Sequence, residues 1–302
     1  MNILAVDVGG TKVLGVYFAN GVIQAREQWA SQSMTWEILK DWLRTMVGDL
    51  PVDAVAVASA GRVSHDRIDP LNRSVLSWIQ SIDVRADLAR QFKAPVTLVN
   101  DATAAAYAEY CVRTSGDQPE PENLAFVTVS TGIGCGLVIN GRPLISGTGL
   151  ASHAGHIRGI ESPETDELTI CSCGMPGCIE SRASGAALGR QLSQRVGQQV
   201  TAKSLFDGSV PEAVSEQLIS ASARQIAHLI DTLHMTLDLD QVVLGGSIGL
   251  QPTYLSQVKA LLISRELIDG PRIEVAECGH LSGVQGAAFI AERQLLMDLA
   301  ND

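Results

Sequence analysis

Short, largely apolar runs of three to eight residues alternate along the chain with longer stretches in which apolar positions recur every three or four residues. The short runs predict β-strands, and the longer stretches predict amphipathic helices. Strands are predicted at 3–6, 13–18, 22–29, 54–60, 96–99, 124–130, 135–139, 242–244 and 273–276. Helices are predicted at 36–50, 84–92, 102–110, 184–196, 212–237, 254–263 and 284–299. This alternation indicates the α/β class.

A strand, a glycine turn and a second strand follow one another twice in the sequence. The first turn is Gly9-Gly10-Thr11, and the second spans 131–134. Backbone N–H groups of such a turn can line an anion site, and Asp7 at the end of the first strand is placed to hold a hydrated Mg²⁺ beside phosphates. A plain hairpin with a surface Asp is the alternative for the first turn alone. The repetition favours two hairpins that clamp a polyphosphate.

The same repetition predicts a duplicated domain, with the polar run 114–123 as the best linker candidate. We therefore expect an N-terminal α/β domain at 1–115 and a C-terminal α/β domain at 116–284. The closing helix, at 285–302, is expected to pack back on the N-terminal domain.

Polar side chains follow two predicted strands, at the position where open α/β sheets place their ligands. Arg62 and Ser74 lie in the loop after the strand 54–60, where they either contact a polyol or are simply solvated. Asp101 follows the strand 96–99 at the start of a helix. It is either an N-cap or a base that accepts the proton of an attacking hydroxyl, a role that suits the loose transition state of phosphoryl transfer.

Three cysteines and one histidine lie close together in the sequence and form a set typical of a closed, structural zinc site: His156, Cys171, Cys173 and Cys178. A disulfide is the alternative, but Cys171 and Cys173 are too close in sequence to pair comfortably. Folding around a metal would bring His153 and Glu180 towards one place, as a binding pocket requires.

Composition excludes several classes of protein. The net charge of −11 and the pI near 5.0 argue against a nucleic-acid partner, whose phosphates need a basic face. No apolar run approaches the roughly 20 residues of a transmembrane helix. The lack of a secretory signal and the use of thiols predict a reduced, cytoplasmic protein without membrane partners.

Five motifs in order make the sequence resemble the ROK sugar kinases, a branch of the actin/hexokinase-like ATPase superfamily. They are D-V-G-G-T-K at 7–12, N-D-A at 100–102, S-T-G-I-G-C-G at 130–136, the zinc signature at 156–180 and L-G-G-S at 244–247. The resemblance covers nearly the whole chain. It implies two ribonuclease H-like α/β domains that close over a sugar, ATP and Mg²⁺ as cofactors, a structural Zn²⁺ and usually a homodimer.

The resemblance also assigns residues. Asp101 becomes the general base, and His156 uses one ring nitrogen for zinc and the other for a sugar hydroxyl. The sugar contacts are expected at Gly61, Arg62, Ser74, Asn100, Asp101, His153, His156 and Glu180. The nucleotide contacts are expected at Ala5, Val6, Asp7, Val8, Gly9, Gly10, Thr11, Lys12, Thr131, Gly132, Ile133, Gly134, Cys135, Gly136, Leu137, Val138, Gly245 and Gly246.

One position suggests the substrate. Most of the family has Glu where this chain has His153, whereas a histidine there resembles the bacterial N-acetylmannosamine kinases of the family. An imidazole can donate a hydrogen bond, so an N-acetyl carbonyl is a plausible partner. The resemblance therefore implies transfer of phosphate from ATP to the 6-hydroxyl of N-acetylmannosamine, with glucose or another hexose as the alternative. A sugar-responsive repressor of the same family is the remaining alternative, but its N-terminal helix-turn-helix has no room before residue 7.

Overall fold

The computed structural model describes residues 1–69, 76–114, 120–161, 169–263 and 269–301. The chain divides into two compact units. The first consists of Met1–Glu120, Gly136–Ser152 and Cys278–Asp302, and the second of Pro121–Cys135 and His153–Glu277. The sequence prediction assigned 136–152 to the C-terminal half, whereas the structure groups these residues with the first unit.

The strands follow the predicted apolar runs closely, with three additional two-residue strands. They are β1 (Asn2–Val8), β2 (Lys12–Ala19), β3 (Val22–Ala30), β4 (Ala54–Ser59), β5 (Arg62–Val63), β6 (Ile68–Asp69), β7 (Val96–Asn100), β8 (Leu124–Val129), β9 (Ile133–Ile139), β10 (Arg142–Pro143), β11 (Gln241–Gly245) and β12 (Arg272–Val275). The additional strands β5, β6 and β10 are too short to show an apolar period in the sequence.

Seven helices among the described residues begin and end near their predicted bounds, and two short helices were not predicted. The helices are α1 (Trp36–Val47), α2 (Val84–Phe92), α3 (Asp101–Arg113), α4 (Ile179–Ala183), α5 (Gly185–Val196), α6 (Glu212–Leu237), α7 (Gly246–Gly249), α8 (Pro252–Ile263) and α9 (Ser282–Asn301). The two that were not predicted are α4 and α7. The described part of the chain contains no helix that is both long and apolar enough to cross a membrane.

The first unit is built on a sheet with the strand order β3-β2-β1-β4-β7. β1 is antiparallel to β2 and parallel to β4, and β4 is parallel to β7. Every residue of β4 is buried, as expected for a strand whose two faces are both covered. Helix α9 packs against β1, β4 and α3.

The segment 136–152 belongs to the first unit because it packs on α3. A side chain at Gly136 would overlap the backbone carbonyl of Ala102, so only glycine allows this approach. The short strand β10 pairs with the end of β9 and also contacts α3. Close packing of a glycine against a backbone carbonyl produces no periodic apolar pattern. The sequence therefore carries no sign that this segment belongs to the first unit.

The second unit contains a parallel arrangement in which β11 lies between β8 and β12. Its longest helix, α6, packs against α4, α5 and α8. Ser222 on α6 donates a hydrogen bond to Ala183 at the end of α4 and pairs with the buried hydroxyl of Tyr254 on α8. The α/β class predicted from the sequence is confirmed in both units.

Candidate active-site residues and metal centre

The first glycine turn closes with a hydrogen bond from Gly9 N–H to the carbonyl of Lys12, 3.0 Å long. Asp7 stands just before the turn on β1 and is partly buried. Burial raises the pKa of the Asp7 carboxyl to about 7; the negative charge of Asp101 acts in the same direction and Lys12 opposes it. A divalent cation held beside Asp7 would oppose both effects and favour its ionised form.

Helix α9 confines the Asp7 carboxylate. A Cβ atom at Gly283, in the first turn of α9, would lie 2.5 Å from Asp7 Oδ2 and 2.8 Å from its Cγ. Gly283 thus packs against Asp7, the residue predicted to hold magnesium.

Asn100 ends β7 and Asp101 begins α3. The N-cap role that the sequence left open for Asp101 belongs to Asn100. The N-cap of α3 is Asn100, whose Oδ1 accepts hydrogen bonds from Ala102 N and Thr103 N at 3.0 and 3.2 Å. Asn100 Nδ2 also donates to the carbonyl of Gly61 at 3.1 Å. Asp101 is therefore the first helical residue and not the cap, although its Oδ1 accepts a bond from Ala102 N.

The loop predicted to contact sugar begins with the hairpin of β5 and β6. Arg62 forms an ion pair with Asp69, 2.7 Å between Nη2 and Oδ2, with both side chains about two-fifths exposed. The pair fixes the direction of the guanidinium while leaving it accessible. Ser74, the other predicted contact in this loop, lies outside the described residues.

The four predicted metal ligands come together. Their ligand atoms, from His156, Cys171, Cys173 and Cys178, all lie within 4.8 Å of one another. A tetrahedral zinc ion with Zn–S distances near 2.3 Å needs sulfur atoms about 3.8 Å apart. Cys173 Sγ and Cys178 Sγ are 3.7 Å apart, and Cys171 Sγ lies 3.4 Å from His156 Nδ1. The residues therefore fit a closed Cys₃His zinc site.

Burial makes the two buried thiols of the cluster, Cys171 and Cys178, poor acids when no cation is bound. It raises the pKa of Cys171 and raises that of Cys178 to about 12. Zinc binds thiolates and so must displace these protons.

The chain folds around the cluster by pairing its two arms. Ile179 N–H donates to the carbonyl of Ile157 and Gly159 N–H donates to that of Gly177, each at 2.9 Å. Tight turns between the cysteines place Gly174 and Gly177 at φ values of +90° and +73°, a region that favours glycine.

Glu180 follows the last cysteine and reaches the second glycine turn. Its Oε2 accepts a hydrogen bond from Ile133 N–H at 3.0 Å, and a Cβ atom at Gly132 would lie 2.8 Å from the same oxygen. His153 stacks on His156 with ring centroids 6.3 Å apart and an interplanar angle of 14°. The metal cluster thus carries two predicted sugar contacts, His156 and Glu180, with His153 beside them.

Many predicted nucleotide contacts can offer only backbone atoms, because their side chains are buried in the strands. These residues are Ala5, Val6, Val8, Ile133, Cys135, Leu137 and Val138. Gly245 faces the ring of Phe126, and Gly246, at φ +85°, faces the carbonyl of Val129. The turn residues Gly10, Thr11, Lys12 and Thr131 remain exposed.

A cavity of about 990 Å³ opens within the second unit beside Thr131 and Ser247. Helix α5 and the segment that follows it form much of its wall, and side chains that sequence reasoning missed include Arg190, Gln194, Lys203, Phe206 and Gln251. No motif or apolar period in the sequence marked these positions. The volume is in the range of small-molecule sites.

Comparison with known proteins supports one family. The model described as "ROK family" matches residues 3–294. The chain is 34% identical over 300 residues to an N-acetylmannosamine kinase of Haemophilus influenzae, covering 98% of this chain and 97% of that protein. It is 36% identical over 300 residues to an N-acetylmannosamine kinase of Yersinia pestis, covering 97% and 99%. The crystal structure of a ROK hexokinase from Thermus thermophilus has a TM-score of 0.82 and 26% identity, covering 98% and 99%.

Proposed function

Because the chain belongs to the ROK family, with nearly its whole length matching the family model, we propose that it is a kinase that transfers the terminal phosphoryl group of ATP to the 6-hydroxyl of N-acetylmannosamine. The observation that carries the proposal is the full-length similarity to relatives named N-acetylmannosamine kinases. The histidine at position 153 is consistent with it.

In this proposal Asp101 accepts the proton of the sugar hydroxyl as phosphate is transferred. A carboxylate suffices because the loose transition state needs mainly positioning and late removal of the proton. Asn100 binds the sugar while its amide also holds the Gly61 carbonyl. Arg62, oriented by Asp69, is proposed to bind a further hydroxyl, and we retain Gly61 and Ser74 as proposed sugar contacts.

The metal site is proposed to be structural. Four protein ligands leave no open position, so zinc would supply no chemistry to the reaction and would hold the arm in place. With His156 Nδ1 facing the cluster, Nε2 is available for a sugar hydroxyl. Glu180 accepts hydrogen bonds from other hydroxyl groups of the sugar.

For the nucleotide, Asp7 is proposed to hold Mg²⁺ through its water ligands. Backbone N–H groups of the turns at 9–12 and 131–134 bind the phosphates, and the cavity beside Thr131 receives the nucleoside. We extend the proposal to a homodimer that acts in the cytoplasm, as the family resemblance implies.

The test is an assay that couples ADP release to a colour change across a panel of sugars. We expect the highest kcat/KM with N-acetylmannosamine, lower values with its epimer N-acetylglucosamine and with glucose, and none with Asp101→Asn protein. The hexokinase name of the Thermus thermophilus structure makes glucose the natural competitor. Glucose turnover far above that of N-acetylmannosamine would reject the proposed substrate but leave the kinase class intact.

A further inference from the structure

A buried glutamine on α6 grips the arm of the metal-binding segment. Gln225 is only 2% exposed. Its Nε2 donates to the carbonyl of Ile160 at 2.8 Å, and its Oε1 accepts from Ile160 N–H at 3.1 Å. One side-chain amide therefore satisfies both backbone groups of a single residue, as a neighbouring β-strand would.

Gly159 is shaped to allow this contact. A Cβ atom there would overlap Gln225 Oε1 and would also lie 3.2 Å from Arg182 Cδ. The backbone at this position approaches the amide more closely than any larger residue permits. The pairing of Gln225 with Ile160 is thus built from both sides and is not a chance contact.

The gripped residue stands at the outer end of the paired arms. Between Ile160 and the ligand His156, the chain forms an isolated antiparallel bridge from Arg158 to Cys178 and the hydrogen bond from Gly159 to Gly177. Cys178 is itself a predicted ligand, and Glu180 follows it by two residues. By holding Ile160, Gln225 therefore also holds the segment that follows His156 against the segment that contains Cys178.

From this geometry we infer that Gln225 is a positioning residue for the metal centre, which it preorganises by fixing the arm 157–160 from helix α6. Its two hydrogen bonds go to Ile160 and not to one of the predicted metal ligands. Groups that orient metal ligands from outside are worth roughly 10–100-fold in metal affinity or activity when they are removed. Its effect on sugar binding rests on the proposed function, but its effect on the metal does not.

The experiment measures zinc release from the purified full-length protein into an excess of chromophoric chelator. Gln225→Leu keeps the volume of the side chain but removes both hydrogen bonds, and we expect zinc release to become about 10-fold faster. Gln225→Glu can still accept from Ile160 N–H but places an acceptor against the Ile160 carbonyl. We therefore expect it to release zinc faster than the wild type does. The KM for N-acetylmannosamine should rise while the KM for ATP stays near its original value.

Tyr254→Phe is the matched control. Tyr254 on α8 is fully buried, and its hydroxyl pairs with that of Ser222, which lies on α6 as Gln225 does. The substitution should lower the melting temperature without changing zinc release. If Gln225→Leu and Tyr254→Phe released zinc at the same rate, Gln225 would be merely structural and the inference would be wrong. If zinc release from the wild type and the variants followed these expectations but the wild type failed to phosphorylate N-acetylmannosamine, only the proposed substrate would be refuted.

A double-mutant cycle sharpens the result. Gly159→Ala should also accelerate zinc release because its methyl group displaces the Gln225 amide. In a Gln225→Ala background that methyl group no longer meets Oε1, so the second substitution should add little. Additive effects on the release rate would show that the two positions act separately, against the inference.

Discussion

The two glycine turns each join a pair of strands but acquire their carboxylates in different ways. At the first turn Asp7 belongs to the strand that leads into it, so the acid and the turn are parts of one motif. At the second turn Glu180 comes from 47 residues further along the chain and bonds to Ile133 N–H. The first arrangement is local, whereas the second requires that the metal-binding arm be folded.

This difference changes what each site depends on. Asp7 is held by the packing of β1 and by Gly283 of α9, neither of which includes His156 or the three cysteines of the cluster. Glu180 starts two residues after Cys178, so its position depends on the cluster. A repeated motif can thus have one half positioned by the core of the fold and the other by the segment that carries the predicted metal ligands.

The largest effect is expected from Asp101→Asn. The amide cannot accept the hydroxyl proton, so turnover should fall by at least ~10²-fold, while the dissociation constants of sugar and nucleotide change little. Isothermal titration for binding and the coupled assay for turnover separate the two. Near-normal turnover would mean that Asp101 is not the base.

A second prediction concerns pH and the first turn. The folded protein holds the Asp7 proton up to about pH 7, whereas the unfolded chain releases it near its ordinary pKa of 3.8. The wild type should therefore lose stability relative to Asp7→Asn as pH rises from 4 to 7. The difference should level off above pH 7 at a value on the order of 2–4 kcal/mol.

Urea unfolding of both proteins across this range measures the difference, and contributions from carboxyls that do not interact with Asp7 cancel. The sign is fixed because a raised pKa means that the folded state binds the proton more tightly. A difference that stayed constant with pH would show that Asp7 is not a buried, raised carboxyl.

The smallest effects are expected from alanine substitutions at Gly283 and Gly286 of α9, and the two substitutions should act differently. A methyl group at Gly286 would overlap the backbone carbonyl of Ala104, which cannot yield easily. We expect Gly286→Ala to cost about 1–3 kcal/mol of stability. A methyl group at Gly283 meets a carboxylate that can rotate away. Gly283→Ala should therefore fold nearly as well but require more Mg²⁺ for half-maximal rate.

Thermal melting and magnesium titration of the two variants distinguish these cases. An unchanged magnesium requirement in Gly283→Ala would show that the contact with Asp7 has no consequence for the metal. Equal loss of stability in the two variants would show that the carboxylate is as rigid as the backbone.

The sequence could predict what depends on local pattern. The α/β class, most strand positions and the grouping of His156 with three cysteines all follow from apolar period and ligand spacing. The chain's membership of the ROK family agrees with five short motifs that could be found without a structure.

The rest depends on residues that meet only after folding. No local pattern marks Glu180 as the partner of Ile133, Gln225 as the residue that holds Ile160, or Gly283 as the neighbour of Asp7. The ion pair of Arg62 with Asp69 joins two-residue strands that have no period to detect. Cavity-lining side chains such as Arg190 and Phe206 look like ordinary polar or turn positions until the start of α5 is hydrogen-bonded to the segment after β8.

The most direct test of the account compares sugar and nucleotide binding before and after zinc is removed. Titration of N-acetylmannosamine and of a non-hydrolysable ATP analogue into zinc-loaded, zinc-depleted and zinc-restored protein measures both affinities. We expect depletion to weaken sugar binding by roughly 10–100-fold, to leave nucleotide binding nearly unchanged, and to be reversed by zinc. Loss of nucleotide affinity with intact sugar affinity would contradict the dependence of Glu180 and His156 on the metal.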